Sequence, residues 1–310
     1  YTPNQGDAWR YTLNWLGRFL ETRLTETDAL PEIPTEGVIA LAGKPVPAAV
    51  ELLMGGYLDE ARLLGQRTAE MHAALATDRV DAAFKPEPFG TLYQRSLYQS
   101  MYNLTNRIFR QLRAKRKGLS GDLAAQVDTL LGMEDRIINA FKSITARKLS
   151  GSLIRVHGDY HLGQVLHTGN DFVIIDFQGE PGRSLAERRL KRSPMRDVAG
   201  MLRSFDYASY AALPGYGMQN IGRIEDLPTL EPWSRLWCAY ASAAYLDGYF
   251  KTAQPAGFLP KSEADMEIVL RTLLLEKAVY EIGYELNNRP SWLRVPVAAV
   301  LERVAEWEMA

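Results

Sequence analysis

The chain has 310 residues, 46% of them hydrophobic, and a formal net charge of −1. That length fits one large or two small packed units, and so balanced a charge excludes a global pull toward nucleic acid or an anionic membrane. One cysteine, Cys238, excludes a disulfide within the chain and fits a reducing, cytoplasmic setting.

Taken in order, Tyr1 to Arg10 is polar and aromatic, without the basic start and apolar middle of a secretory leader. Asp7 to Leu24 predicts a helix capped by Asp7, with Trp9, Leu13, Leu16, Phe19 and Leu20 at helical spacing. Between Asp28 and Pro47 four prolines argue for a connector. Val50 to Leu75 predicts a helix with Gly55-Gly56 as its weak point. Phe84 to Gly90 reads as a loop. Tyr93 to Arg116 and Asp122 to Ala146 read as helices, the first ending in a basic run that suits a helix C-terminus. No stretch approaches the roughly 20 apolar residues that span a bilayer.

The texture then changes. Ser152 to Val156 predicts a strand. Gly163 to His167 and Phe172 to Ile175 predict a hairpin joined by Thr168-Gly169-Asn170-Asp171. Four more helices follow, at Arg196 to Tyr210, Glu231 to Lys251, Ser262 to Asn287 and Val295 to Trp307. The expected fold is mainly α with a small central β-hairpin.

The hairpin region carries the densest chemistry. Its first strand follows the loop His157-Gly158-Asp159-Tyr160-His161, and Asp176 follows its second. Antiparallel pairing brings those two ends together, so Asp159, Gln164 and Asp176 are expected to converge. Two carboxylates and an amide oxygen suit Mg²⁺, which takes one or two carboxylates and fills its shell with water and phosphate oxygens. Gln164 and Asp176 are the candidate metal ligands. Asp159 is the candidate catalytic base for an attacking hydroxyl. The same region also alternates as H-x-D-x-H through His157, Asp159 and His161, a pattern open to a metallohydrolase. That chemistry usually recruits further histidines, and the chain has only four. His157 is expected to brace the loop, and His161 either to contact an acceptor or to cap the loop.

Protein kinases use H-R-D-x-x-x-x-N followed by D-F-G. Here His157-Gly158-Asp159, Gln164 and Asp176-Phe177-Gln178 keep that spacing, and Gly158 in place of Arg resembles the aminoglycoside-phosphotransferase-like kinases. The blocks NQGDAW, GQRTAEMHAAL, HGDYHLGQVL, GEPGRSLAERRLKRSPMRDVAGMLRSFDY and EKAVYEIGYELNNRP extend the likeness over nearly the whole chain, and together they resemble the maltokinases. That resemblance implies the C-lobe of a protein-kinase-like fold, with ATP as donor, Mg²⁺ as cofactor, maltose as acceptor and a fused or associated trehalose synthase as partner. It implies that Asp197 braces the catalytic loop. It divides the chain into a post-hinge helix and Pro-rich connector over 1–48 and a helical lobe over 49–310, with the catalytic loop at 156–164 and the metal loop at 176–178.

On the acceptor side, Tyr284, Asn287, Asn288 and Arg289 close a predicted helix and offer an aromatic face with several donors and acceptors. A sugar site and a polar network tying that helix to its neighbours are equally open readings. Arg183 opens a cationic run to Arg196 and is a candidate for phosphate or sugar contact. No Gly-rich loop between strands and no V-A-I-K-like strand is found, so an N-terminal β lobe is expected to be missing and this chain alone to turn over poorly. A non-catalytic binding module and a kinase for another small hydroxyl compound are the alternatives.

Overall fold

A computed structural model describes residues 2–26, 29–77, 81–180, 182, 184–216 and 221–309. Among them the fold is mainly helical, with two small two-stranded sheets. The chain forms two compact units, one from residues 1–86 and 153–259, the other from 87–152 and 260–310.

The first unit opens with α1 (Ala8–Thr25), α2 (Val38–Ala42) and α3 (Ala48–Leu75). Asp7 caps α1 by accepting the Arg10 N–H at 2.8 Å. The five-residue α2 fits between Pro34 and Pro45, so the proline-rich connector is not wholly irregular. Gly55-Gly56 does not interrupt α3, because buried Met54, Tyr57 and Leu58 around it supply packing that offsets the glycine cost of roughly 0.5–1 kcal/mol each.

The second unit takes β1 (Glu87–Pro88), α4 (Thr91–Lys115), α5 (Gly121–Leu131) and α6 (Glu134–Lys142). One helix is expected over 122–146. Two are found, divided at Gly132-Met133, where the Gly132 N–H turns back onto the Asp128 and Thr129 carbonyls. Inside this unit Gln94 reaches the Ile144 and Arg147 carbonyls, and Asp265 accepts from Arg147 and Ser150.

The chain returns to the first unit through β2 (Ser152–Leu153), β3 (Val165–His167), β4 (Phe172–Ile174), α7 (Leu185–Arg188), α8 (Met195–Ala211) and α9 (Leu227–Ala253). The expected 152–156 strand is shorter than predicted, its continuation being a bridge from Ile154 to Arg192. Then α10 (Glu263–Asn288) and α11 (Arg294–Met309) complete the second unit.

The core of the first unit is the crossing of α3 on α9. A Cβ on Gly65 would lie 2.0 Å from the Tyr245 carbonyl oxygen, and one on Gly248 would lie 2.0 Å from that of Arg62. The two backbones meet because neither residue has a side chain. Trp237, Tyr245, Tyr249 and Phe205 fill the space around them. Gly248→Ala is expected to lower stability by at least ~1–3 kcal/mol, the usual cost of overpacking. A denaturant midpoint matching the wild type would refute this close approach.

The predicted hairpin is present. Val165 pairs with Ile174, Leu166 with Val173 and His167 with Phe172. The Thr168 N–H closes the turn onto the Asp171 carbonyl at 2.9 Å, and the Arg67 guanidinium forks onto the Asp171 carboxylate. Along the outer edge of β3 the Gln5 N–H donates to His167 and the His167 N–H to Gly6, with Asp7 bridged to Leu166. The residues leading into α1 therefore act as a third strand beside the hairpin.

Candidate active site

The site grows from the two open ends of the hairpin, all within the first unit. The Ile175 N–H donates to the Gln164 carbonyl at 3.0 Å, carrying the pairing one step beyond the strands. That step places the Gln164 side-chain amide 3.2 Å from the Asp176 carboxylate, to which it donates. Asp176 is exposed and has φ +61°, the only non-glycine residue at positive φ among the described residues. A left-handed aspartate is uncommon and concentrates where geometry serves a site.

Asp159 is half-buried on the facing loop. One imidazole joins the two loops. His157 Nε2–H donates to the Ile175 carbonyl at 2.7 Å, and His157 Nδ1 receives a long contact from the Asp159 N–H at 3.4 Å. This fixes the tautomer with the proton on Nε2. The Phe177 ring, half exposed, lies 5.1 Å from that of His157. His161 accepts the Gly163 N–H on Nδ1 at 3.1 Å and so caps the short turn Leu162–Gln164.

Beneath the loop sits Asp197, 1% exposed in the first turn of α8. It accepts the backbone N–H groups of His157 at 2.7 Å and Gly158 at 2.9 Å, and the His72 ring at 3.0 Å. Burial alone would raise its pKa. The His72 hydrogen bond, with that of the Gly158 N–H, outweighs burial and holds the carboxyl below the usual range. The loop also rests directly on α8. A Cβ on Gly200 would come within 2.5 Å of the Tyr160 carbonyl oxygen, and the Leu162 N–H donates to the Ser204 hydroxyl. Tyr160 in turn shares a buried hydrogen bond with Thr68 on α3.

The Asp176 carboxylate is exposed and the half-buried Gln164 carries an amide oxygen beside it, hard oxygen ligands of the kind that fit Mg²⁺. Among the described residues no group of three or more His, Cys, Asp or Glu side chains gathers as for a metal. The H-x-D-x-H reading is not carried by the geometry, since His157 spends Nε2 on the Ile175 carbonyl and Nδ1 on the Asp159 N–H, and His161 spends Nδ1 on the Gly163 N–H.

The remaining candidates lie elsewhere. Arg183 lies outside the described residues. Tyr284, Asn287, Asn288 and Arg289 belong to the second unit. There Asn287 bonds to the Gly283 carbonyl and to Lys115, and Asn288 bonds to the Tyr284 carbonyl. Arg289 forks onto buried Glu285 and covers the Tyr284 and Trp292 rings, while Tyr284 remains 46% exposed. His72, which bonds Asp197, is a residue whose contacts sequence reasoning passes over. Its partners stand 125 and 177 positions away, and a lone histidine on a helix gives no local signal.

No family model matches the chain. It is similar to glucosamine kinase of Streptacidiphilus jiangxiensis, 28% identical over 264 residues, which are 83% of this chain and 52% of that protein. A 145-residue stretch is 32% identical to glucosamine kinase of Mycolicibacterium smegmatis (strain ATCC 700084 / mc(2)155), covering 46% of this chain and 33% of that protein. A solved glucosamine kinase in complex with glucosamine, ADP and inorganic phosphate shares the fold, with a TM-score of 0.72 at 22% identity over 100% of this chain and 63% of that one. The chain therefore spans about half the length, or less, of the curated relatives it matches.

These relatives correct the expectation of a maltokinase. Maltose, a trehalose synthase partner and a missing lobe draw no support from them. The physical reason lies in the matched blocks. GQRTAEMHAAL carries His72 and MRDVAGMLRSFDY carries Asp197, Gly200 and Ser204, all of which support the loop from below. Such scaffolding says nothing about which sugar enters.

Proposed function

We propose that this chain carries the catalytic loop of an ATP-dependent kinase that phosphorylates a hydroxyl of an amino sugar, glucosamine being the leading acceptor. The observation that carries this reading is the pairing of Gln164 with left-handed Asp176 at the hairpin mouth, joined to the Asp159 loop through one imidazole. The names of the relatives support the acceptor and the donor. The C-lobe of a protein-kinase-like fold is the architecture this reading uses.

In this mechanism Asp159 accepts the proton of the attacking hydroxyl and orients its lone pair toward the terminal phosphorus. Gln164 and Asp176 would hold Mg²⁺, which when bound supplies positive charge beside the phosphate oxygens. His157 keeps the two loops in register. Asp197 holds the loop backbone so that Asp159 need not reorganise, which matters because phosphoryl transfer is mostly positioning and charge stabilisation.

The whole protein, given ATP and Mg²⁺, is expected to release ADP in step with added glucosamine. Glucose and N-acetylglucosamine serve as comparators, and ³¹P NMR locates the ester. ADP release that no sugar stimulates would end the proposal.

A further inference from the structure

We propose that Glu60 on α3 and His167 on β3 form a proton-operated latch: while the pair holds one proton it clamps the hairpin to α3, and when that proton leaves the clamp loosens. Packing here leaves polar atoms over. His167 is 4% exposed, yet neither of its ring nitrogens has a hydrogen-bond partner among the described residues, and neither has Glu60 Oε2. Buried polar atoms are nearly always paired, so three unpaired ones in one place call for a reason. Two of them face each other. His167 Nε2 lies 3.9 Å from Glu60 Oε2, within ion-pair range and too long for a hydrogen bond. The ring itself is held. It stacks on Tyr11 of α1 with centroids 4.1 Å apart and meets Phe172 of β4 at 5.4 Å. Its backbone is fixed by Gln5 and Gly6 on one side and by Phe172 on the other. What is left to change is the proton.

A neutral imidazole beside a carboxylate leaves the carboxylate charge without a partner. One added proton removes that cost whichever group takes it. Imidazolium against carboxylate is an ion pair, and imidazole against carboxylic acid is a hydrogen bond, so the proton belongs to the pair. A small turn of the Glu60 side chain then closes the gap and ties α3 to β3. The charges around the pair set the direction. Burial most of all, and then Asp171 and Asp59, hold the Glu60 carboxyl above its ordinary 4.5, while His167 opposes them. The nearby cations are spent elsewhere: Arg67 on Asp171 and Glu70, Arg62 on Asp59. From α1, Tyr11 keeps its phenol proton, because burial and Glu60 push its pKa up against the pull of Arg18. Tyr57 of α3 is pushed up as well, chiefly by burial. A carboxyl whose pKa is raised on folding binds its proton more tightly in the folded protein. The clamp is therefore present at low pH and lost as pH rises through that raised value. β3 carries the change to the hairpin mouth, since Gln164, whose carbonyl takes the Ile175 N–H, immediately precedes it.

This latch is independent of the kinase reading, and its test reads exchange and titration, not turnover. In the whole protein, protection of the His167 and Ile175 amides against hydrogen exchange is expected to fall about tenfold or more. The fall should come between about pH 5 and pH 8, where histidine exchanges its proton, after correction for the intrinsic pH dependence of exchange. The ¹⁵N signals of the His167 ring should move over the same range with the same midpoint. Glu60→Gln keeps the shape of the side chain without its charge, and His167→Phe keeps the ring stack without its nitrogens. In each of them protection at Ile175 should be flat across that range.

Flat protection in the wild type would overturn the proposal, and so would an unchanged pH step in either folded variant. If neither variant folds, the wild-type ring signals decide. A midpoint shared with the exchange step supports the latch. Ring signals that stay still, or that move at a different pH, overturn it. A wild-type protein with no kinase activity would sink the kinase reading alone and leave the latch to these measurements.

Discussion

Asp159→Asn is expected to lower kcat of the whole protein by about 10²–10⁴, the usual worth of a positioned general base. The substitution keeps the size and polarity of the side chain and removes its capacity to take a proton. The loop should not move, because its anchors are backbone groups and other side chains. His157 and Gly158 hold to Asp197, Leu162 to Ser204, and Tyr160 to Thr68. KM for ATP should change little, and the thermal midpoint should stay near that of the wild type. Steady-state kinetics with ATP and glucosamine check this. A kcat within about threefold of wild type would remove Asp159 from the base role.

The largest expected loss of stability belongs to Asp197→Ala. This change leaves the His72 Nε2–H and two loop amides facing a buried space with no acceptor. Removing one partner of a buried, hydrogen-bonded charge costs about 3–5 kcal/mol. For a protein of this size that corresponds to a fall of very roughly 6–20 °C in thermal midpoint. Activity should fall with it, since the same bonds fix the loop that carries Asp159. The effect should also depend on pH. The Asp197 pKa is depressed in the folded protein relative to its ordinary 3.8. Its stabilisation is therefore present above that value and lost as pH falls through the depressed one. Melting curves for wild type and variant should converge in acid. Equal midpoints at neutral pH would show that Asp197 supports nothing.

The parts of this fold that were legible share a local cause. Asp7 announces α1 because a cap and an apolar period sit within one stretch, and the helix found, Ala8–Thr25, differs from the predicted one by a residue at each end. The hairpin was readable because β-branched strands flank Thr168-Gly169-Asn170-Asp171. Its register then brought Gln164 beside Asp176. What was missed depends on tertiary contact. The continuity through Gly55-Gly56 inverts its local signal, because the buried residues around it decide. The hydrogen bonds of His72 were invisible because they exist only once α3, α8 and α9 are packed. The acceptor was misread for a related reason. The longest matching blocks serve the scaffold beneath the loop, and a scaffold is shared among sugars.

The stitching of Gln5 and Gly6 to His167 has a mechanical meaning. A pull directed along the chain ahead of α1 would load those hydrogen bonds side by side, in shear, before it could tug on the helix itself. β3 starts one residue after Gln164. Force applied there would reach the mouth of the hairpin through β3.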